Sequence, residues 1–165
     1  MTEFRPDEKV RIFSNLNVFF DIAYQAYQDA MLSLQKNVVP KEGGGFVIAD
    51  DPQRVSFKQS LIAISFFGSY LDLYIRMKFI LQELQMPNSQ QDRVPYEEKL
   101  RYLGITDEDF LNDVKEFRSG RNDVSHEKPI VSGWGVGSMG NAQDGAELGL
   151  RVVTRLKELL PLNFL

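Results

Sequence analysis

Apolar residues recur at three- and four-residue spacing in five separate stretches of the chain, which is the pattern of amphipathic helices. The second stretch, about residues 54–85, is apolar around much of its circumference, so we expect it to be central and to contact neighbours on several sides. Further stretches lie at about 7–36, 95–103, 106–127 and 142–160. The apolar stripe of the first consists of Phe13, Leu16, Phe20, Ala23, Tyr27, Ala30 and Leu34.

Two segments interrupt this periodicity. Residues at about 37–53 contain two prolines and three consecutive glycines, and residues at about 130–140 hold four glycines around Trp134, so we predict a flexible connection and a glycine-rich loop. No convincing strand is visible. The chain is therefore predicted to be a single all-α domain, 1–165, a bundle of about four to five helices. Two long antiparallel helices would pack with a motif-bearing helix and a C-terminal helix.

Individual residues add local predictions. Gly104 stands where a left-handed cap would close the third helix. Thr106 with Asp109 three residues later is a capping signal for the fourth helix. Gly68 and Gly149 lie inside predicted helices, where glycine costs stability, so both positions are predicted to permit close packing of a neighbouring helix.

Composition narrows the chemistry that the chain can perform. There is no cysteine and a single histidine, His126. Disulfides, thiolate catalysis and cysteine-ligated metals are therefore excluded, and catalysis by two histidines needs a second copy of the chain. The net charge of −4 lacks the basic excess of a general nucleic-acid binder, so RNA would be met at a small local site.

Charged residues within the most apolar segment indicate whether the chain could cross a membrane. Residues 61–81 are interrupted by Asp72, Arg76 and Lys78, which indicates a buried helix and no membrane span. The first residues show no apolar core of a signal peptide. We therefore expect a cytoplasmic protein with no membrane partner, no metal and no cofactor.

Candidate chemistry lies near the end of the fourth predicted helix, where residues 119–126 read Ser-Gly-Arg-Asn-Asp-Val-Ser-His. At about 100° per residue, Asn122 and His126 project from nearly one face, with Arg121 beside them. Arg121 would grip a phosphate and offset transition-state charge. His126 would exchange a proton with a ribose 2′-OH or a leaving oxygen, and Asn122 would position the reacting groups.

A structural interpretation of the same residues stays open. An arginine and a histidine five positions apart on a helix are common, and a lone histidine near a helix end is often a partner of the helix dipole or an interface residue. The glycine-rich loop follows no strand and lacks the Lys-Ser/Thr of a phosphate loop, so an ordinary loop is favoured there. Asp72 and Asp123 are candidate supporting residues. Asp72 would orient Arg121 or His126, or act as an exposed or capping acid.

The run at residues 121–126 fits the Arg-x4–6-His motif of the HEPN superfamily, in which the residue after the arginine is usually Asn, Asp or His. The chain resembles that family over roughly residues 55–160. Phe-Gly-Ser-Tyr-Leu-Asp-Leu-Tyr-Ile at 67–75 resembles the Leu-Glu-Ala-Tyr stretch of the family's second helix, with Asp72 at the acidic position. Tyr-Glu-Glu-Lys-Leu at 96–100 resembles the short helix before the motif helix.

The resemblance implies a homodimer whose motif helices face each other, so that two Arg121 and two His126 residues share one cleft. It implies a metal-independent endoribonuclease leaving 2′,3′-cyclic phosphate ends, as in toxins and phage-defence proteins, with RNA as substrate and a cognate antitoxin or regulatory protein as a further partner. Other members are catalytically silent or bind nucleotides, so a non-catalytic dimerisation, nucleotide-binding or regulatory module is the alternative. Lys128 replaces the tyrosine of toxins paired with nucleotidyltransferase antitoxins, and that pairing is not predicted.

Overall fold

The computed structural model describes residues 6–48, 53–84, 94–125 and 139–162. Within these ranges the chain forms five helices, which confirms the predicted all-α bundle. The helices are α1 (Pro6–Lys36), α2 (Val55–Leu81), α3 (Tyr96–Tyr102), α4 (Glu108–Ser125) and α5 (Met139–Leu159), and a short hairpin of β1 (Val38–Pro40) and β2 (Phe46–Ile48) lies between α1 and α2.

Contacts with α5 establish the directions of the other long helices. Tyr70 and Tyr74 of α2 contact Lys157 and Leu160, respectively. Phe20 and Met31 of α1 contact Lys157 and Gln143. Asp107, just before α4, contacts Arg155, and Asp113 of α4 contacts Arg151. Later residues of α2 contact later residues of α5, so these two helices run parallel. Later residues of α1 and of α4 contact earlier residues of α5, so both run antiparallel to it. The two long helices α1 and α2 are therefore antiparallel, as predicted.

The central helix of the bundle is α2, which packs against each of the other four helices. Its apolar circumference is the reason, because a helix that is apolar on several sides must bury more than one face. Small residues of α1, among them Ala23, Ala26 and Ala30, are buried and let the two long helices approach closely. The largest fully buried side chains are Ile64, Phe67, Leu71, Ile75, Phe79, Leu100, Leu111, Val114, Phe117, Val152, Val153 and Leu156.

The segment at 37–53, predicted as a flexible connection, contains an antiparallel hairpin, and the prediction was wrong in that detail. Val38 pairs with Ile48 and Pro40 with Phe46. The three glycines that suggested a loop form its turn, with φ near +90° at each. L-residues rarely adopt that conformation, whereas glycine does so without steric cost. Strands of three residues are too short for their alternation to be recognised in the sequence.

Helix ends follow local chemistry, with one correction. Gly104 ends α3 as predicted, with φ of 92°, and its N–H donates to the Arg101 carbonyl. The cap of α4 is Asp107 and not Thr106, because Asp107 Oδ1 accepts a hydrogen bond from the Phe110 N–H at 3.1 Å. Both residue types favour this position, and only the path of the chain decides between neighbours.

The last turn of α5 is closed by side chains from α2. The buried Tyr74 hydroxyl donates to the Leu160 carbonyl at 2.7 Å, and Lys78 Nζ donates to the Pro161 carbonyl at 2.5 Å. Carbonyls at a helix C-terminus have no partner within the helix, and a cation is favourable there. Burial raises the pKa of Tyr74 to about 12 and lowers the pKa of Lys78. No helix in the described ranges combines the length and apolarity that crossing a membrane requires.

Candidate functional site

The motif-bearing helix α4 is fastened to the short helix α3. Arg118 of α4 donates from Nε and Nη2 to the two carboxylate oxygens of Glu97, at 3.2 and 2.9 Å. The side chains are only 30% and 15% exposed, so solvent screens this pair less than a surface pair. The two-point geometry restrains the direction of both side chains. One turn before the motif arginine, α4 therefore has a defined position relative to α3.

Arg121 lies directly on the backbone of α2. A Cβ atom placed on Gly68 would collide with Cδ and Nε of Arg121 and lie 3.0 Å from its Cζ. Only a residue without a side chain leaves room for this contact. The close packing predicted at Gly68 is thus present, and the group that occupies the space is the arginine of the motif.

The guanidinium of Arg121 is held by the first residue of α3. Arg121 Nη1 donates a hydrogen bond to the Tyr96 hydroxyl at 2.9 Å. Its Nε is buried and has no hydrogen-bond partner in the described part of the chain. Arg121 is only partly buried as a residue, so its exposed area belongs to atoms other than Nε. Helices α2, α3 and α4 thus converge on one side chain.

Charges around Tyr96 define the electrostatics of this site. Burial raises the pKa of Tyr96, the positive charge of Arg121 lowers it, and the Asp72 carboxylate raises it again. The hydrogen bond from Arg121 and the charge of Arg76 oppose the rise as well. The net shift is upward, so Tyr96 is a neutral phenol at physiological pH. Asp72 forms an ion pair with Arg76 one turn along α2, at 3.1 Å.

The structure brings together some of the residues predicted for the site. Arg121 and Asp72 both act on Tyr96, from α4 and α2 respectively. Asn122 is exposed in the last turns of α4. Asp123 belongs to the same helix, but its side chain lies outside the described part of the structure. His126 lies outside the described residues, so its role remains a prediction, as does the glycine-rich loop around Trp134.

Sequence reasoning did not identify Tyr96 as a member of the site. It lies 25 residues before Arg121, on a different helix. The predicted site residues lie on α4 and at the acidic position of α2, and no short-range sequence pattern connects a tyrosine at the start of α3 with the end of α4. The only signal was indirect, since Tyr96 begins the run that resembles the short helix before the motif helix.

A separate cavity of about 320 Å³ lies between α4 and α5. Glu116, Asp144, Glu147, Leu148 and Arg151 line it. The Arg151 guanidinium donates two hydrogen bonds to the Asp113 carboxylate of α4, at 3.0 and 3.1 Å. Carboxylates around such a cavity repel phosphate, so it is unsuited to RNA. Among the residues that the structure describes, no group of three or more His, Asp or Glu side chains is arranged to hold a metal ion.

No family model, curated protein or solved structure matches the chain. The fold and site define an all-α bundle with an arginine held at the junction of three helices. Its likeness to the HEPN superfamily remains a resemblance, carried by the residues quoted from the sequence.

Proposed function

We propose that the chain is a metal-independent endoribonuclease of the HEPN type that acts as a homodimer, with Arg121 and His126 at the dimer cleft. The observation that supports this best is the state of Arg121. In the described part of the structure its guanidinium is bound by a neutral phenol and not by a carboxylate, so its positive charge is not cancelled by a direct partner. A charged, oriented guanidinium stabilises the negative charge that develops on the phosphate in the transition state of phosphodiester cleavage.

The proposed reaction assigns one role to each motif residue. His126 of one protomer removes the proton from a ribose 2′-OH, and the 2′-oxygen attacks the adjacent phosphorus. The bond from phosphorus to the 5′-oxygen breaks, and the second imidazole of the dimer gives that oxygen a proton. The products are a 2′,3′-cyclic phosphate and a 5′-OH. Arg121 offsets the charge on the phosphoryl oxygens, and Asn122 positions the reacting groups.

The test compares the parent with Arg121→Ala and His126→Ala on total RNA in EDTA, with Lys58→Ala as control. Lys58 is an exposed cation of α2, and its removal changes the net charge by the same amount as Arg121→Ala. Both motif variants should lose cleavage and the cyclic-phosphate ends, and the control should keep them. Activity that survives both motif changes, or that appears only with a divalent ion, contradicts the proposal.

The biological setting is proposed on the same basis. A toxin or phage-defence ribonuclease should slow growth when it is expressed, and His126→Ala should remove that effect while the protein accumulates to the same level. RNA is the substrate, and a cognate antitoxin or regulatory protein would restrain the activity in the cell.

A second candidate function has its own supporting observation. Several apolar side chains of α1 are exposed, among them Val18 and Ile22, which lie one turn apart, and Leu32. Such side chains suit a protein contact, and the acidic composition favours a protein over a nucleic acid as partner. A non-catalytic dimerisation, nucleotide-binding or regulatory module is therefore the alternative. It is favoured if the purified parent is inert on total RNA and well tolerated in cells.

A further inference from the structure

Tyr96 and Gly68 act on the same arginine in different ways. Gly68 supplies the space in which the aliphatic stem and Nε of Arg121 lie against α2. Tyr96 accepts a hydrogen bond from Nη1 at the other end of the side chain. An arginine side chain has four rotatable bonds before the planar guanidinium, and contacts at both ends remove most of that freedom.

We propose that Tyr96 and Gly68 are positioning residues that hold the Arg121 guanidinium ready for an RNA phosphodiester. The proposal rests on the ribonuclease function proposed above and adds two residues to its machinery. Nε packs against α2 at Gly68 and Nη1 donates a hydrogen bond to Tyr96, so two of the three guanidinium nitrogens contact these residues. The edge that includes Nη2 is the one that would meet the phosphate.

The chemical identity of Tyr96 suits this role. A carboxylate at the same position would orient Arg121 equally well, but it would neutralise the charge that the phosphate requires. A neutral phenol orients the guanidinium and leaves its charge intact. The upward shift of the Tyr96 pKa keeps the hydroxyl protonated throughout the physiological range. Asp72, the acid whose charge raises the Tyr96 pKa, is itself paired with Arg76.

Glu97, the residue after Tyr96, also binds the motif helix. Tyr96 is followed at once by the residue that binds Arg118, so two consecutive residues of α3 hold two arginines that lie three positions apart on α4. The ion pair to Glu97 fixes α4 as a helix, and the hydrogen bond to Tyr96 fixes the side chain that does the chemistry. Helix α3 is therefore a support for the end of α4.

The experiment uses two variants with matched controls on the full-length protein. Tyr96→Phe removes only the hydroxyl, and its control is Tyr102→Phe, which removes an exposed hydroxyl from the same helix. Gly68→Ala pushes Arg121 off α2. Its control is Gly149→Ala, where a Cβ would lie 2.8 Å from Phe117 and would crowd the core without meeting Arg121. Arg121→Ala is the reference for complete loss.

Cleavage of a short RNA in EDTA is the first measurement, with thermal unfolding recorded for every variant. We expect kcat to fall about tenfold in Tyr96→Phe, the size of one lost orienting hydrogen bond, and on the order of 100-fold in Gly68→Ala, where the guanidinium is displaced. Both controls should stay within about twofold of the parent once folded. The KM should change less than kcat, because the phosphate still meets a charged but disordered guanidinium.

A second measurement follows Arg121 directly. The Nε–H of Arg121 is buried, so its signal in a nitrogen-15 NMR spectrum should be resolved and slow to exchange with water in the parent. Tyr96→Phe and Gly68→Ala should speed that exchange at least tenfold, whereas Tyr102→Phe should not. A merely structural role for Tyr96 would alter unfolding without this selective change at Arg121.

The outcomes separate the two proposals. If Arg121→Ala is inactive while Tyr96→Phe and Gly68→Ala cleave like the parent, the positioning inference is overturned and the ribonuclease function stands. If Gly149→Ala loses as much activity as Gly68→Ala, the effect is overpacking and the inference is overturned again. If the parent is inert, or Arg121→Ala keeps its activity, the ribonuclease function fails and the inference that rests on it fails too, whatever the NMR signal shows.

Discussion

Replacing Tyr74 with phenylalanine tests how α2 closes the end of α5. Tyr74 is only 2% exposed, and its hydroxyl donates to the Leu160 carbonyl at 2.7 Å. The substitution removes that donor and keeps the ring. A buried acceptor that loses its partner costs about 1–2 kcal/mol, so the free energy of unfolding of Tyr74→Phe should be lower by that amount at pH 7.

The same substitution has a pH dependence whose sign is fixed by the raised pKa. The Tyr74 hydroxyl ionises near pH 10 in the unfolded chain and near 12 in the folded one, because burial raises its pKa while a hydrogen bond from the Leu162 backbone lowers it in part. The stability that depends on the protonated phenol is therefore complete below pH 10 and declines as the pH rises towards 12. At pH 11 the loss is about 1.4 kcal/mol. Phenylalanine does not ionise, so the gap between parent and variant should nearly close.

Urea unfolding followed by circular dichroism at pH 8 and pH 11 measures both numbers. Burial also shifts the pKa values of Tyr70 and Lys78, and these effects of burial are present in both proteins, so they cancel in the difference. The smaller upward shift that Tyr74 itself imposes on the Tyr70 pKa is absent from the variant. Tyr102→Phe is the control, since its hydroxyl is exposed, and its gap to the parent should be small at both pH values. A gap for Tyr74→Phe that is the same at pH 8 and pH 11 would refute the reasoning.

Two further predictions concern the partly buried charges. Glu97→Gln should lower the free energy of unfolding by about 1 kcal/mol, because Arg118 loses its carboxylate partner in a poorly screened position. Glu108→Gln, which breaks an exposed pair with Arg101, should change it little, and equal effects in urea unfolding would contradict the ranking. Burial lowers the pKa of Lys157 and the Asp21 carboxylate raises it, so Asp21→Asn should lower it further. A carbon-13 NMR titration of the lysine Cε measures this, and an unchanged titration curve would show that Asp21 does not influence the amine.

Periodicity was sufficient to identify the five helices in the described ranges and the central place of α2, because each depends on residues three or four positions apart. The glycine cap at Gly104 was recognised for the same reason. The cap of α4, which was predicted at Thr106, shows the limit of such local rules. Thr106 and Asp107 are both suitable capping residues, and the structure uses Asp107 because its carboxylate, and not the threonine hydroxyl, reaches the first exposed N–H groups of α4.

Some residues of the candidate site could be predicted from the sequence, and others could not. The arginine, asparagine and histidine of the motif were found in the sequence because they lie within six residues of one another. The surroundings of the arginine were not, since two of its contacts come from Gly68 and Tyr96, which lie 53 and 25 residues earlier in the chain (121 − 68 and 121 − 96). That Gly68 allows a close approach could be predicted, but not which side chain approaches it.

The sequence alone determined the helical class of this protein, the approximate extent of its helices and the identity of its candidate reactive residues, because those properties depend on residue type and short spacing. Only the tertiary structure decided which groups meet: the phenol that holds Arg121, the tyrosine and lysine that close α5, and the hairpin within the first connection. Such pairings depend on how helices distant in sequence pack against one another, and packing is decided by the whole set of buried side chains at once.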